Sequence, residues 1–242
     1  MRLLFIRHGD PDYEHDALTE KGRWEAALLA ERIAPMDVAA YFVSPMGRAQ
    51  ETASYTLKRA GRTAGTLPWL KEFDRRIDRD GTGKPQITWD MLPERWTQVP
   101  DYYDKDRWLE VPLLKNGGIA ADYRWVTEGI DGVLAEYGYR REGNVYRAER
   151  PNEQTLVFFC HFGVTCVMLS HFLGVSPMVL WHGTMAAPSS VTALVTEERR
   201  EGTAILRMLS FGDTAHLTAA GESPAFSGRF CERYTNWDQR HD

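Results

Sequence analysis

Short apolar runs alternate along this chain with longer stretches in which apolar residues recur every three or four positions, a pattern that predicts strands feeding into helices. Residues 2–6 read as a buried strand cut off by the polar Arg7. Thr19 offers an N-cap, Ala26, Leu29, Ala30 and Ile33 repeat at helical spacing, and Pro35 stops the helix. A second strand is expected over 38–43. Ser44-Pro45 then reads as a cap with a first-turn proline, and 48–60 continues helically. Residues 66–70 form a short extended stretch. A third apolar strand over 155–160 precedes a helix from about 164 to 173 that Gly174 ends. Residues 190–195 and 204–210 read as a late strand pair joined by a charged turn at 200–202.

Strands alternating with helices imply a mainly parallel sheet covered on both faces, a three-layer α/β/α architecture. The segment from about 75 to 138 breaks the alternation. It holds Pro85, Pro93, Pro100 and Pro112, the Gly117-Gly118 pair and a run of aromatics. We read it as a cap-like insertion, partly helical over 119–137, covering the active site of a single domain that spans 1–242. Trp69, Trp89, Trp96, Trp108 and Trp125 are expected to form the cap's own small core; the alternative is that some stack on a leaving group. The tail from Gly221 is either draped on the domain or loose.

The 242 residues carry 29 Lys and Arg against 34 Asp and Glu, a net charge of -5 that argues against wholesale nucleic-acid binding. It leaves room for an anionic ligand, because a few arginines can dominate one pocket. Cys160, Cys166 and Cys231 are odd in number and lack a CxxC pair, so no disulfide framework or cysteine-rich zinc site is expected. No stretch approaches the ~20 apolar residues needed to cross a bilayer. The expectation is a cytoplasmic protein without a membrane partner.

Three strand-to-helix junctions collect the chemistry. Arg7-His8-Gly9 ends the first strand, Arg48 lies just after the second, and His161 with Phe162 follows the third. Ligands of open α/β sheets bind beyond the carboxyl ends of the strands, so these residues should meet in one crevice. Two arginines and two histidines suit a phosphoryl group, since guanidinium forks match its oxygens at any working pH. An imidazole held neutral by flanking cations can attack phosphorus directly. Gly9 is read as making room for a ligand.

These residues resemble the histidine phosphatase superfamily, also called phosphoglycerate mutase-like. Arg7-His8-Gly9 matches its signature triplet, and Leu18-Thr19-Glu20-Lys21-Gly22 its Leu-Thr-x-x-Gly. Residues 44–53 are similar to its Ser-Pro-x-x-Arg-Ala-x-x-Thr-Ala, Leu70-Lys71-Glu72 to its Leu-x-Glu, and Cys160-His161-Phe162-Gly163 to the segment around its second histidine. The resemblance covers roughly 1–75 and 150–215. It implies a phosphoglycerate mutase-like fold and a phosphohistidine mechanism with no metal and no cofactor. His8 would be the nucleophile, and Arg7, Arg48 and His161 would clamp the phosphoryl oxygens. Glu72 would serve as acid and then base, and Phe162 would border a small phosphorylated substrate.

The mutases of this superfamily add a long stretch before the Leu-Thr motif, where this chain has only residues 10–17. Hydrolysis is therefore expected, with mutase-type phosphotransfer as the alternative and a phosphate-binding regulatory module behind it. A homodimer stays open by analogy with such enzymes. Asp74 competes with Glu72 for the acid–base role. Cys160 reads as a small buried hydrophobe, and His15, His171 and His241 as histidines without partners. His182 and His216 remain undecided.

Overall fold

A computed structural model describes residues 1–79 and 81–238. Eight strands form one sheet: β1 (Arg2–Arg7), β2 (Ala40–Val43), β3 (Ala64–Thr66), β4 (Tyr139–Glu142), β5 (Val145–Ala148), β6 (Thr155–Cys160), β7 (Val191–Arg200) and β8 (Thr203–Asp213). Their order across the sheet is β3-β2-β6-β1-β7-β8-β5-β4. The first four are joined in parallel, with Leu3 opposite Leu156 and Phe158 opposite Phe42, and the rest by antiparallel pairings. Six of the eight strands, all but β7 and β5, thus run the same way.

Alternation along β1 explains the layers, because successive side chains leave a strand on opposite faces. Leu4 and Ile6 face α1 (Glu20–Ile33) and α2 (Gly47–Ala60), packing with Leu29, Ile33, Ala49 and Ala53. Leu3 and Phe5 face α3 (Ile119–Glu136), α4 (Phe162–Leu173) and α5 (Pro177–Gly183), meeting Ile130, Val167 and Met178. Thr19 caps α1 by accepting from the Gly22 amide, and Gly174 closes α4 in the left-handed region at φ 66°. Among the described residues no helix is long and apolar enough to cross a membrane.

The segment expected to form a cap divides in two. Its second half is α3, packed on α4 and β4 as part of a helical layer. Its first half holds the hairpin Arg76–Ile77/Gln86–Ile87 and the short helices Pro93–Trp96 and Pro112–Asn116. The tryptophans do not make a separate cap core: Trp69 and Trp108 are buried in the same cluster as Leu3, Phe158 and Val167. Trp108 packs edge-on to Trp181 of α5, and Trp125 is exposed. Because these rings seal a face of the main sheet, composition alone could not assign them. The tail is draped: Lys21 binds Glu222 and the Ser223 carbonyl, and the Glu25 carboxylate accepts from the Ala225 amide.

Candidate active site

The carboxyl ends of β1, β2 and β6 lie side by side and bring His8, Ser44, Arg48 and His161 together. The two imidazole rings stand 5.1 Å apart, centroid to centroid. His8 Nδ1 lies 2.8 Å from the Gly9 carbonyl oxygen, which can only accept, so the ring proton is assigned to Nδ1. Nε2 then carries the lone pair, and Arg48 Nε donates to it at 3.2 Å. Burial, then the charges of Arg7 and Arg48, push the His8 pKa well below the usual imidazole range. His8 is thus a neutral base between two cations.

His161 is fully buried. Its Nε2 pairs with Ser44 Oγ at 2.7 Å, and that oxygen also accepts from the Met46 amide. With the hydroxyl proton given to Nε2, the ring proton of His161 is assigned to Nδ1, which has no partner among the described residues. Burial, with the charges of Arg48 and Arg7, pushes this imidazole's pKa well below its usual range as well.

The arginines are fixed by partners the motifs did not reveal. Arg7 donates to the Ala186 carbonyl at 2.5 Å, and its buried Nε is unpartnered among the described residues. Arg48 is held by Asp16, whose carboxylate takes Arg48 Nη1 at 2.6 Å and the Gly47 amide at 2.6 Å. Asp16 therefore anchors both the arginine and the start of α2. It sits in the left-handed region at φ 48°, which aspartate tolerates. This corrects the expected helix start. Ser44 is not the N-cap: the helix begins two residues beyond Pro45, at Gly47, and the Ser44 hydroxyl is committed to His161.

Gly9 also serves another purpose than expected. A Cβ there would stand 2.6 Å from the Gly22 carbonyl oxygen, so the triplet's glycine lets the loop rest on α1 rather than making room for a ligand. Gly163 is tight for a related reason, since a Cβ would lie 2.6 Å from Trp89 Nε1 and 2.7 Å from Glu72 Oε1.

Glu72 Oε1 accepts from the amides of Phe73 at 2.8 Å and Val164 at 3.0 Å. Burial raises its pKa, opposed by these amides and by Arg48. Asp74, the competing carboxylate, is exposed and paired with Lys71 at 3.1 Å. Of the two carboxylates, Glu72 is the one held by backbone amides.

Arg7, Arg48, Glu72 and Phe162 line a cleft of about 530 Å³, whereas His8 and His161 are buried and are not among its lining residues. Tyr13, Arg76, Ile87 and Phe230 also line it, none of them singled out from the sequence as a site residue, and so does Trp89, one of the tryptophans weighed as stacking on a leaving group. Trp89 meets Phe162 edge-on at 6.0 Å and donates to the Phe73 carbonyl at 2.7 Å. In the tail, Gly228 rests on the Arg7 guanidinium and Ser227 binds Asp10.

His15, His171, His182 and His216 also lie outside the cleft lining. His15 pairs with Asp12 and His171 with Asp131, each at 2.8 Å, so both have the partners that sequence spacing failed to show. His182 stacks on Trp96, and His216 supports Ser189, whose amide binds the His8 carbonyl. His241 lies outside the described residues. Cys160 is buried, its thiol pushed up to about 12, the state of an inert hydrophobe.

Residues 3–107 match the family model of the histidine phosphatase superfamily, branch 1. Among named proteins it is 24% identical over 238 residues to a probable phosphatase of Schizosaccharomyces pombe, covering 90% of this chain and 95% of that one. Its fold is similar to the phosphoserine phosphatase of Entamoeba histolytica, with a TM-score of 0.60, 17% identity and coverage of 89% of this chain and 98% of the other. The α-ribazole phosphatase of Shigella flexneri (TM-score 0.55, 20% identity, 88% and 97% covered) is similar as well. So is a mycobacterial glucosyl-3-phosphoglycerate phosphatase (TM-score 0.54, 18% identity, 87% and 98% covered).

Proposed function

We propose that this chain is a phosphomonoesterase that hydrolyses a small phosphorylated metabolite through a phosphohistidine on His8, without a metal or cofactor. One observation carries the reading. His8 is buried and neutral, with Nδ1 tied to the Gly9 carbonyl and the Nε2 lone pair facing Arg48.

In the first step Nε2 attacks phosphorus as the ester P–O bond breaks. Arg48 swings its donors from Nε2 to a phosphoryl oxygen, and Arg7 and the Nδ1–H of His161 hold the others, so charge shifts among donors already in place. Glu72 gives its proton to the leaving oxygen. In the second step Glu72 takes a proton from water, the water oxygen attacks phosphorus, and the P–N bond breaks. Phosphate leaves, and His8 and Glu72 return to their starting states.

The family and the phosphatase names among its relatives support hydrolysis. The hairpin Arg76–Ile77/Gln86–Ile87 and the tail segment 227–230 border the cleft and favour a small ester over a phosphoprotein. The test is phosphate release from a panel of metabolite phosphates and an aryl phosphate, with chelator present and His8→Ala as control. Release that survives chelator and is lost in the variant is expected. Substrate interconversion that needs a bisphosphate primer, with no net release, would instead establish the mutase reaction.

A further inference from the structure

The cleft is far larger than a phosphoryl group needs, and its outer half carries a charge the hydrolytic step does not use. Four arginines line it: Arg7, Arg48, Arg76 and Arg229. Arg48 is paired with Asp16. Arg229 binds Glu232 and lies 4.0 Å over the Phe226 ring. Arg7 is buried at the phosphoryl end. Arg76 differs from all three, for its exposed side chain makes no hydrogen bond or ion pair with any described residue.

Its place is nevertheless fixed. Arg76 pairs with Ile87 in the hairpin, and the preceding Arg75 is clamped on Asp122 of α3 by contacts of 2.5 and 2.9 Å. The Arg75 carbonyl accepts from both the amide and the hydroxyl of Thr88. Consecutive strand residues leave on opposite faces, so anchoring Arg75 outward commits Arg76 to the cleft. Asp74, one of the two lining carboxylates, is already paired with Lys71. Ile87, Trp89 and Phe162 supply apolar lining to the same cleft.

We propose that Arg76 recognises a second anionic group on the substrate, joined to the phosphoryl ester by an apolar or planar body lying along Trp89 and Phe162. This rests on the phosphatase reading and narrows its substrate class. A guanidinium serves a carboxylate or a second phosphoryl group equally by charge and geometry.

The probes are phenyl phosphate, its 3- and 4-carboxy derivatives, and 1,4-phenylene bisphosphate. Each is measured on the wild type, Arg76→Ala and Arg76→Lys. The wild type should prefer the better carboxylated or bisphosphorylated ester over phenyl phosphate by about fivefold in kcat/KM, the scale of one exposed charge pair. The preference should reside in KM, fall to about one in Arg76→Ala and be largely kept in Arg76→Lys. The larger of the two arms names the group. A wild-type ratio near one, or a ratio unchanged in Arg76→Ala, overturns the proposal. Calorimetric binding of the same esters to His8→Ala protein, with and without Arg76→Ala, reads the same ratio without turnover. A lack of hydrolysis would then fail the phosphatase reading alone.

Discussion

At the inner end of the cleft the charged and polar side chains are set by neighbours: His8 by Gly9 and Arg48, Arg48 by Asp16, His161 by Ser44, and Glu72 by two amides. At the outer end Arg76 has no side-chain partner among the described residues, and the walls come from a short hairpin and an irregular tail. The inner end is built for one geometry and one group. The outer end is built to be changed without disturbing the chemistry. A chain organised this way separates how it reacts from what it accepts.

Substitutions at the inner end should therefore cost turnover, and those at the outer end should cost selectivity. His8→Ala removes the proposed nucleophile and should lower kcat by a factor on the order of 10³ or more, read by phosphate release. Glu72→Gln should lower kcat about 10²-fold on an alkyl phosphate and far less on an aryl phosphate whose leaving oxygen needs no proton. Asp16→Asn leaves the catalytic groups in place but loosens Arg48, and should cost about tenfold in kcat/KM. Gly228→Ala tests whether the two ends are coupled. Its φ of 98° and its seat on Arg7 resist a side chain, so KM should rise by roughly fivefold with kcat less affected. If kcat falls as far as in Asp16→Asn, the tail belongs to the inner end.

The smallest expected effect is on pH dependence, where the sign follows from direction. Activity needs His8 neutral, so the acid limb should lie below the ordinary imidazole range; it needs Glu72 protonated, so the basic limb should lie above the ordinary carboxylate range. For stability, the unfolded chain takes up protons at its histidines before folded His8 and His161 do. Denaturant midpoints should therefore fall as pH drops below about 6.5 and hold steady above it.

What the sequence made legible follows the same division. Arg7, His8 and His161 sit at the ends of apolar strands and Arg48 in the first turn of the helix after one, where β-periodicity places them at one edge of a parallel sheet, and the motifs' order supplied Glu72. Asp16, Ser44 and Glu25 were not legible as partners. Each acts through a contact between segments distant in the chain, and nothing in local spacing marks an aspartate as the holder of an arginine thirty-two positions on. Arg76 and residues 227–230 lie in stretches without periodicity, so only the folded arrangement brings them to the cleft. Gly9 and Ser44 were located correctly but misassigned, one to a ligand and one to a helix cap, whereas their contacts are with Gly22 of α1 and with His161 just after β6.

The central claim is that the phosphoryl group passes through His8 Nε2. Rapid mixing with an aryl phosphate, quenching in alkali to preserve a phosphoramidate, and intact-mass and fragment analysis test it directly. The account predicts one added phosphoryl group on His8, formed and consumed at rates compatible with turnover and absent from His8→Ala. Efficient hydrolysis with no phosphoenzyme, or with the group on any other residue, would contradict it.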